Sequence, residues 1–171
     1  DLFASHRNHQ LPVYCSRVAD PQAFAVDALS VDWGGMTAYA FPPISLLARV
    51  VTKIGREDCN VILIAPFWPK HLWFRPMVDL LAAQPRVLPE LPNLLRMPGG
   101  EVPSLPLEHL QLAAWPLSGN VRRREAFHQK LLLSSPGVDE SLPSVRIVSV
   151  WLPTAHGAMR EIHLPLEPLC L

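Results

Sequence analysis

"TAYAFPPISLLARVVTKIG", Thr37 to Gly55, decides the fold. A short apolar run, Thr37 to Phe41, meets two adjacent prolines. Beyond Pro42-Pro43 the apolar residues recur at helical intervals, so Ile44, Leu47, Val50, Val51 and Ile54 share one face and Gly55 stands where a helix would stop. Proline fixes φ and lacks an N–H, which suits the corner where a strand ends and a helix opens. The stretch therefore predicts strand, rigid corner, helix. In open α/β sheets ligands bind past the carboxyl ends of strands. The same corner is thus either plain structure or the lip of a site.

Downstream, "NVILIAPF" (Asn60 to Phe67) is a continuous β-branched run, which predicts a central parallel strand buried on both faces. "HLWFRPMVDLLAAQ" (His71 to Gln84) predicts a second amphipathic helix, with Pro76 near its start or at a kink, and "RVLPEL" (Arg86 to Leu91) a further short strand. Upstream, "DLFAS" (Asp1 to Ser5) reads as the end of a buried strand. A polar turn, "HRNHQLP", follows, and "DPQAFAVDAL" (Asp20 to Leu29) predicts a short helix. Strands alternating with helices predict an α/β domain with a parallel sheet over residues 1–95. Its first residue falls inside an apparent strand, so the domain reads as truncated and the chain as a piece of something longer. Past residue 95 the periodicity lapses. Residues 96–133 read as a linker and 134–171 as a Pro-rich, irregular, weakly ordered tail in which "SVRIVSVWL" (Ser144 to Leu152) can form a strand. The 19 prolines, about twice the usual share, break most helices there.

Composition narrows the function. Lys+Arg and Asp+Glu both number 15, so the chain lacks the basic excess of a protein held mainly by nucleic-acid phosphates, and "VRRRE" (Val121 to Glu125) is its only dense basic run. Three cysteines without a C-x-x-C argue against a disulfide framework or a zinc site and for a reducing, intracellular setting. Apolar runs fall short of the roughly 18 residues of a membrane span. His6 and His9, three apart, lack a third ligand nearby and read as a solvated turn. The pairs Gly34-Gly35 and Gly99-Gly100 belong to no phosphate-binding loop.

Three further groups invite a functional reading, each beside a plainer one. Asp1, Ser5 and Asn8 close the first strand, where polar groups can meet a nucleoside ligand; they equally suit turn capping. In "VDALSVDWGG", Asp27 and Asp32 can hold a ribose while Trp33 stacks an adenine, or they cap turns around a core tryptophan. "WPKHLWF" places Trp68, Lys70, His71 and Trp73 close together. That is either an aromatic, basic surface for single-stranded nucleic acid or ordinary packing.

With these residues on the page, the first eighty-odd positions resemble a family. "DLFASHRNHQLPVYCS", "DALSVDWGG", "YAFPPISLL" and "VILIAPFWPKHLWF" follow the order and approximate spacing of blocks in phage-type, Dam-like DNA N6-adenine methyltransferases. They resemble still more the Dam-like region of DIRS-type, tyrosine-recombinase retrotransposon polyproteins, which follows reverse transcriptase and ribonuclease H. "LQLAAWPLSG" (Leu110 to Gly119) is similar to the linker before the recombinase. The resemblance implies a small Rossmann-like methyltransferase sheet and S-adenosylmethionine as cofactor. It implies DNA or RNA and the other polyprotein domains as partners, and a nuclear or cytoplasmic location. Asp1, Ser5, Asn8, Asp27, Asp32 and Trp33 would fall in the cofactor region. Phe41, Pro42, Pro43 and Ile44 would occupy the catalytic turn.

That turn departs from the family pattern. The family's Asn or Asp accepts hydrogen bonds from the adenine amino group, and its fourth-position aromatic stacks on the extruded base. Phe41 cannot accept and Ile44 offers no π-face. The sequence therefore predicts a Dam-like domain that no longer methylates, serving as a spacer or docking unit. Two other readings stand beside it: an active S-adenosylmethionine-dependent adenine methyltransferase, and a decayed, non-functional reading frame.

Overall fold

A computed structural model describes residues 1–89, 110–134, 146–153 and 159–168. Its strands are β1 (Cys15–Ser16), β2 (Ala25–Val26), β3 (Thr37–Ala40), β4 (Asn60–Pro66), β5 (Arg86–Val87), β6 (Leu112–Ser118), β7 (Arg146–Pro153) and β8 (Met159–Pro168). Its helices are α1 (Leu47–Arg56), α2 (Phe74–Asp79) and α3 (Val121–Ser134), with single 3-10 turns at Ala28–Ser30 and Ile44–Leu46.

The expected α/β class holds, but the sheet is mixed rather than parallel. Its four central strands run β3-β4-β6-β5. β3 and β4 are parallel, while β6 lies antiparallel to both β4 and β5. Beyond β5 the order continues through a two-residue parallel pairing to β8, which β7 pairs antiparallel. β1 and β2 pair in parallel separately. Residues at the start of the chain bridge the two groups: Ala4 pairs with Ser16 in parallel, and the Leu2 amide donates to the Tyr39 carbonyl at 2.9 Å.

The corner is built as its residues dictate. β3 ends at Ala40, and the Pro43 carbonyl accepts the Leu46 amide at 2.9 Å to open a 3-10 turn that runs into α1. Leu47, Val50, Val51 and Ile54 are buried along one face of α1. Ile44 differs from expectation: it belongs to the 3-10 turn before the helix proper, so it rotates off the apolar stripe and stays 40% exposed. Gly55 lies within the last turn, and α1 runs on to Arg56.

β4 is central, but only its second half, Leu63 to Pro66, is buried on both faces. Val61, Leu63 and Ala65 enter the main core with α1, while Ile62, on the opposite face, is 47% exposed. The helix expected over His71 to Gln84 is cut to Phe74–Asp79, with Pro76 tolerated in its first turn. The residues after it serve β6 instead: the Leu80 carbonyl accepts the Ser118 amide at 2.9 Å, and the Ala82 amide donates to the Pro116 carbonyl at 3.0 Å. The helix expected over Asp20 to Leu29 is also absent. Asp20 caps a turn by accepting the Gln22 amide at 3.0 Å, Ala25 and Val26 pair with β1, and Asp27 adopts φ 57°, which no right-handed helix allows.

The largest correction concerns the span read as a linker. Within it, Leu112–Ser118 is β6, seated between β4 and β5, and Val121–Ser134 is α3. Trp115 and Leu117 of β6 are buried in the main core. Two strands, β7 and β8, occur where a weakly ordered tail is expected. Residues 90–109, 135–145, 154–158 and 169–171, which include Gly99-Gly100, lie outside the described residues.

Candidate functional site

Because β3 and β4 are parallel neighbours, the segments that leave their carboxyl ends emerge on the same edge of the sheet. One is Phe41 to Ile44 and the other is Phe67 to Trp73. A small apolar cluster joins them. Ile64, Leu110 and Leu112 form its buried centre, and Tyr39, Phe41, Trp68 and Leu88 pack against it. Phe41 is thus half-buried and engaged in packing, and Pro42 is buried. Pro43 and Ile44 are exposed.

On the second segment, His71 stacks on Trp68 with ring centroids 4.9 Å apart, and Lys70 and His71 face solvent. Trp73 does not join them at the surface. It is 7% exposed and packs with Phe74, which meets Trp115 edge-on at 5.6 Å. Its face cannot receive a base. Leu72, 96% exposed, points outward in its place. The aromatic, basic surface expected from the sequence is therefore reduced to Trp68, Lys70 and His71.

The residues expected to hold the cofactor are brought together only in part. Ser5 and Asn8 follow the start of the chain and close on each other. Asn8 Oδ1 accepts the Ser5 amide at 2.7 Å and the Ser5 hydroxyl at 2.8 Å. Asp1 accepts the Phe3 and Gln10 amides at 3.3 and 3.1 Å. Asp27 caps the first 3-10 turn through the Leu29 amide at 3.0 Å, and Asp32 accepts the Gly34 amide at 2.8 Å. Trp33 is sealed from water, its Nε1 donating to the Ala28 carbonyl at 2.9 Å. It is a core residue, and stacking on an adenine is ruled out for it. The two carboxylates flanking it are turn caps, as the plainer reading has it.

Sequence reasoning missed what holds Trp33. Its amide donates to the Glu57 carboxylate at 2.6 Å, Glu57 also pairs with Lys53, and the Lys53 ammonium lies 5.2 Å from the centre of the Trp33 ring. The i, i+4 spacing of Lys53 and Glu57 was the available signal. Also missed was a polar junction where β6 meets α3. The buried Ser118 hydroxyl donates to the Cys59 carbonyl at 3.1 Å, and the Asn120 side-chain amide donates to the Asp58 carboxylate at 3.1 Å. Cys59 beside it is a thiol, not a nucleophile: burial, with help from the Glu57 charge, pushes its pKa up to about 11.

A cavity of about 430 Å³ lies at the other end of the strands, lined mainly by apolar groups that include Leu2, Val13, Tyr14, Met36 and Ala38. Met36, Thr37 and Ala38 place it toward the amino end of β3, and no residue of the Pro-Pro turn lines it. His9 stacks on Tyr14 at 4.7 Å, and His6 lies 3.7 Å from Asp20. Among the described residues no group of His, Cys, Asp or Glu is arranged to hold a metal ion, and no helix is long and apolar enough to cross a membrane. No protein family, curated protein or solved structure matches this chain.

Proposed function

We propose that the chain is part of a retrotransposon polyprotein and carries a Dam-like, Rossmann-type methyltransferase domain that does not transfer methyl groups. It acts as a spacing or docking unit between the reverse transcriptase/ribonuclease H and recombinase parts, in the nucleus or cytoplasm. The strand arrangement supports this ancestry. Number the segments along the chain, counting the bridging residues 1–4 first, β1 second, β2 third, β3 fourth and β4 fifth. Their lateral order is then third, second, first, fourth, fifth. Doubly wound nucleotide-binding sheets use the same order, and in them the switch point falls between the first and fourth strands. Here Ser5 follows the first segment and Phe41-Pro42-Pro43 the fourth. β6, inserted antiparallel before β5, sets the sheet apart from the dinucleotide-binding version.

One observation carries the loss of activity. At the carboxyl end of β3, Phe41 is packed into an apolar cluster and Ile44 is an exposed aliphatic group. A base delivered there meets no side-chain acceptor at position 41 and no aromatic face at position 44. Losing one preorganised polar group at a reacting centre costs about 10²–10³ in rate. The cofactor fares little better, since Trp33 is inaccessible and Ser5 and Asn8 satisfy each other.

The test is transfer of a labelled methyl group from S-adenosylmethionine to adenine-containing DNA. The expected result is no incorporation above background, with no heat of cofactor binding at millimolar concentration. Incorporation by the unaltered chain overturns the proposal.

A further inference from the structure

The only dense basic run of the chain, Arg122-Arg123-Arg124, is left unused by the edge described above. It occupies the first turn of α3, where no acidic residue accompanies it. Cations there face the positive end of the helix dipole, an unfavourable placement that an anion would relieve. A second set of facts shows what lies beside it. The turn from β6 into α3 is pressed onto the end of α1. The Gly119 amide donates to the Cys59 carbonyl at 2.9 Å, and the Arg123 guanidinium donates to Asn60 Oδ1 at 3.0 Å. A Cβ on Gly119 would stand 1.7 Å from the Glu57 carbonyl oxygen, so the two helix ends touch backbone to backbone. Arg56, the last residue of α1, is thereby held at the same corner as Arg122 and Arg123, and all three are exposed.

Of the nearby carboxylates, Glu57 is held by Lys53 and the Trp33 amide and Asp58 by the neutral Asn120 side chain, while Glu125 is exposed next to the run on α3. Among the described residues Arg56 and Arg122 have no carboxylate partner, and Arg123 is tied only to a neutral amide. Arg124 is half-buried and stands apart from the patch. In a chain of zero formal net charge, three exposed guanidinium groups against the two nearby carboxylates Asp58 and Glu125 leave a local positive excess at this corner.

We propose that the corner formed by Arg56, Arg122 and Arg123 binds the phosphate backbone of a nucleic acid. Guanidinium groups pair with phosphate oxygens in two-point fashion; the helix amides add little, since Asn120 already accepts from the Arg123 and Arg124 amides. The contact is sequence-independent, since it reads charge and spacing rather than base edges. It does not depend on the methyltransferase reading, and the Pro-Pro turn takes no part in it.

The experiment measures binding of a labelled random-sequence DNA duplex, and of the same sequence as a single strand, by the full chain between 50 and 200 mM salt. It compares the unaltered protein with Arg56→Ala/Arg122→Ala, chosen because both side chains are exposed and their opposite placements on helix dipoles, at the end of α1 and the start of α3, offset each other in stability. The expected result is weakening of at least about tenfold at the lowest salt, with the slope of log K against log salt falling by about 2, roughly 0.9 per lost duplex contact. The thermal midpoint of the protein alone should stay unchanged or rise. The proposal is overturned if the folded double variant binds with unchanged affinity and slope, if the unaltered chain binds neither DNA at 50 mM salt, or if poly-glutamate competes as well as DNA. The last result would assign the corner to an acidic protein. Incorporation of methyl groups would overturn the proposed function and leave this one standing.

Discussion

At position 33 the indole is closed off from water, and its ring hydrogen is committed to the Ala28 carbonyl. Trp33→Ala should therefore destabilise the chain by about 3–5 kcal/mol, measured by urea unfolding. Trp33→Phe keeps most of the packing and loses only the indole hydrogen bond, since the Ala28 carbonyl still accepts the Val31 amide, and should cost about 0.5–1.5 kcal/mol. A tryptophan serving a ligand instead would lose binding and keep its stability. Cys59 allows a second residue-scale test. In the native protein it should resist thiol alkylation at pH 8 and become reactive on unfolding, because burial disfavours the thiolate. The roles of such residues were only partly legible. "DWGG" showed an aromatic between turn-formers, but the lysine and glutamate that clamp it lie some twenty residues further on. Nothing in the local spacing of Trp33 points to them. Phe41 was the opposite case. Its side chain excludes hydrogen-bond acceptance wherever it sits, so that property could be read before any fold was known.

Elements were legible where their residues agreed with one another. Strand β3, the proline corner and α1 follow from apolar spacing alone. α2 was overestimated because Leu80 to Ala82 continue its apolar pattern, yet their backbone groups are taken by β6. β6 itself went unseen because Pro116 argues against a central strand. The structure shows why proline is tolerated there. The Pro116 carbonyl accepts from Ala82, on the side where β5 has already ended at its pairing with Ala114. In an extended strand a residue's nitrogen and carbonyl point the same way, so the missing N–H breaks no ladder bond with β4. The turn leaving β6 carries the prediction for this scale. Gly119→Ala places a carbon 1.7 Å from one backbone oxygen and 2.4 Å from another, neither of which belongs to a flexible side chain. It should cost more than about 3 kcal/mol or prevent folding, as read from the thermal midpoint, by prying α3 from the end of α1.

For the whole molecule the sheet, not any single helix, sets cooperativity. β6 pairs with β4 over seven residues and with β5 over two, and Trp115 lies among residues from α2 and β4. A fragment ending at residue 95 should therefore remain unfolded by circular dichroism and show no cooperative melt, whereas the full chain should melt cooperatively. Alkali gives a global readout as well. Cys59 binds its proton more tightly in the folded state, with a pKa of about 11 against an ordinary 9.0. Stability is therefore intact below pH 9 and declines as pH rises through 9 to 11. Cys59→Ala should remove that part of the decline in alkaline unfolding curves. The separation along the chain also matters during synthesis. The Trp115 indole reaches an acceptor at Ala65, 50 positions earlier. At about 5–20 residues per second, a ribosome leaves the flank of β4 bare for several seconds after it emerges. A β-branched ribbon waiting that long for its neighbour is a natural client for chaperones, and slow codons between Pro66 and Leu112 should lower the soluble yield.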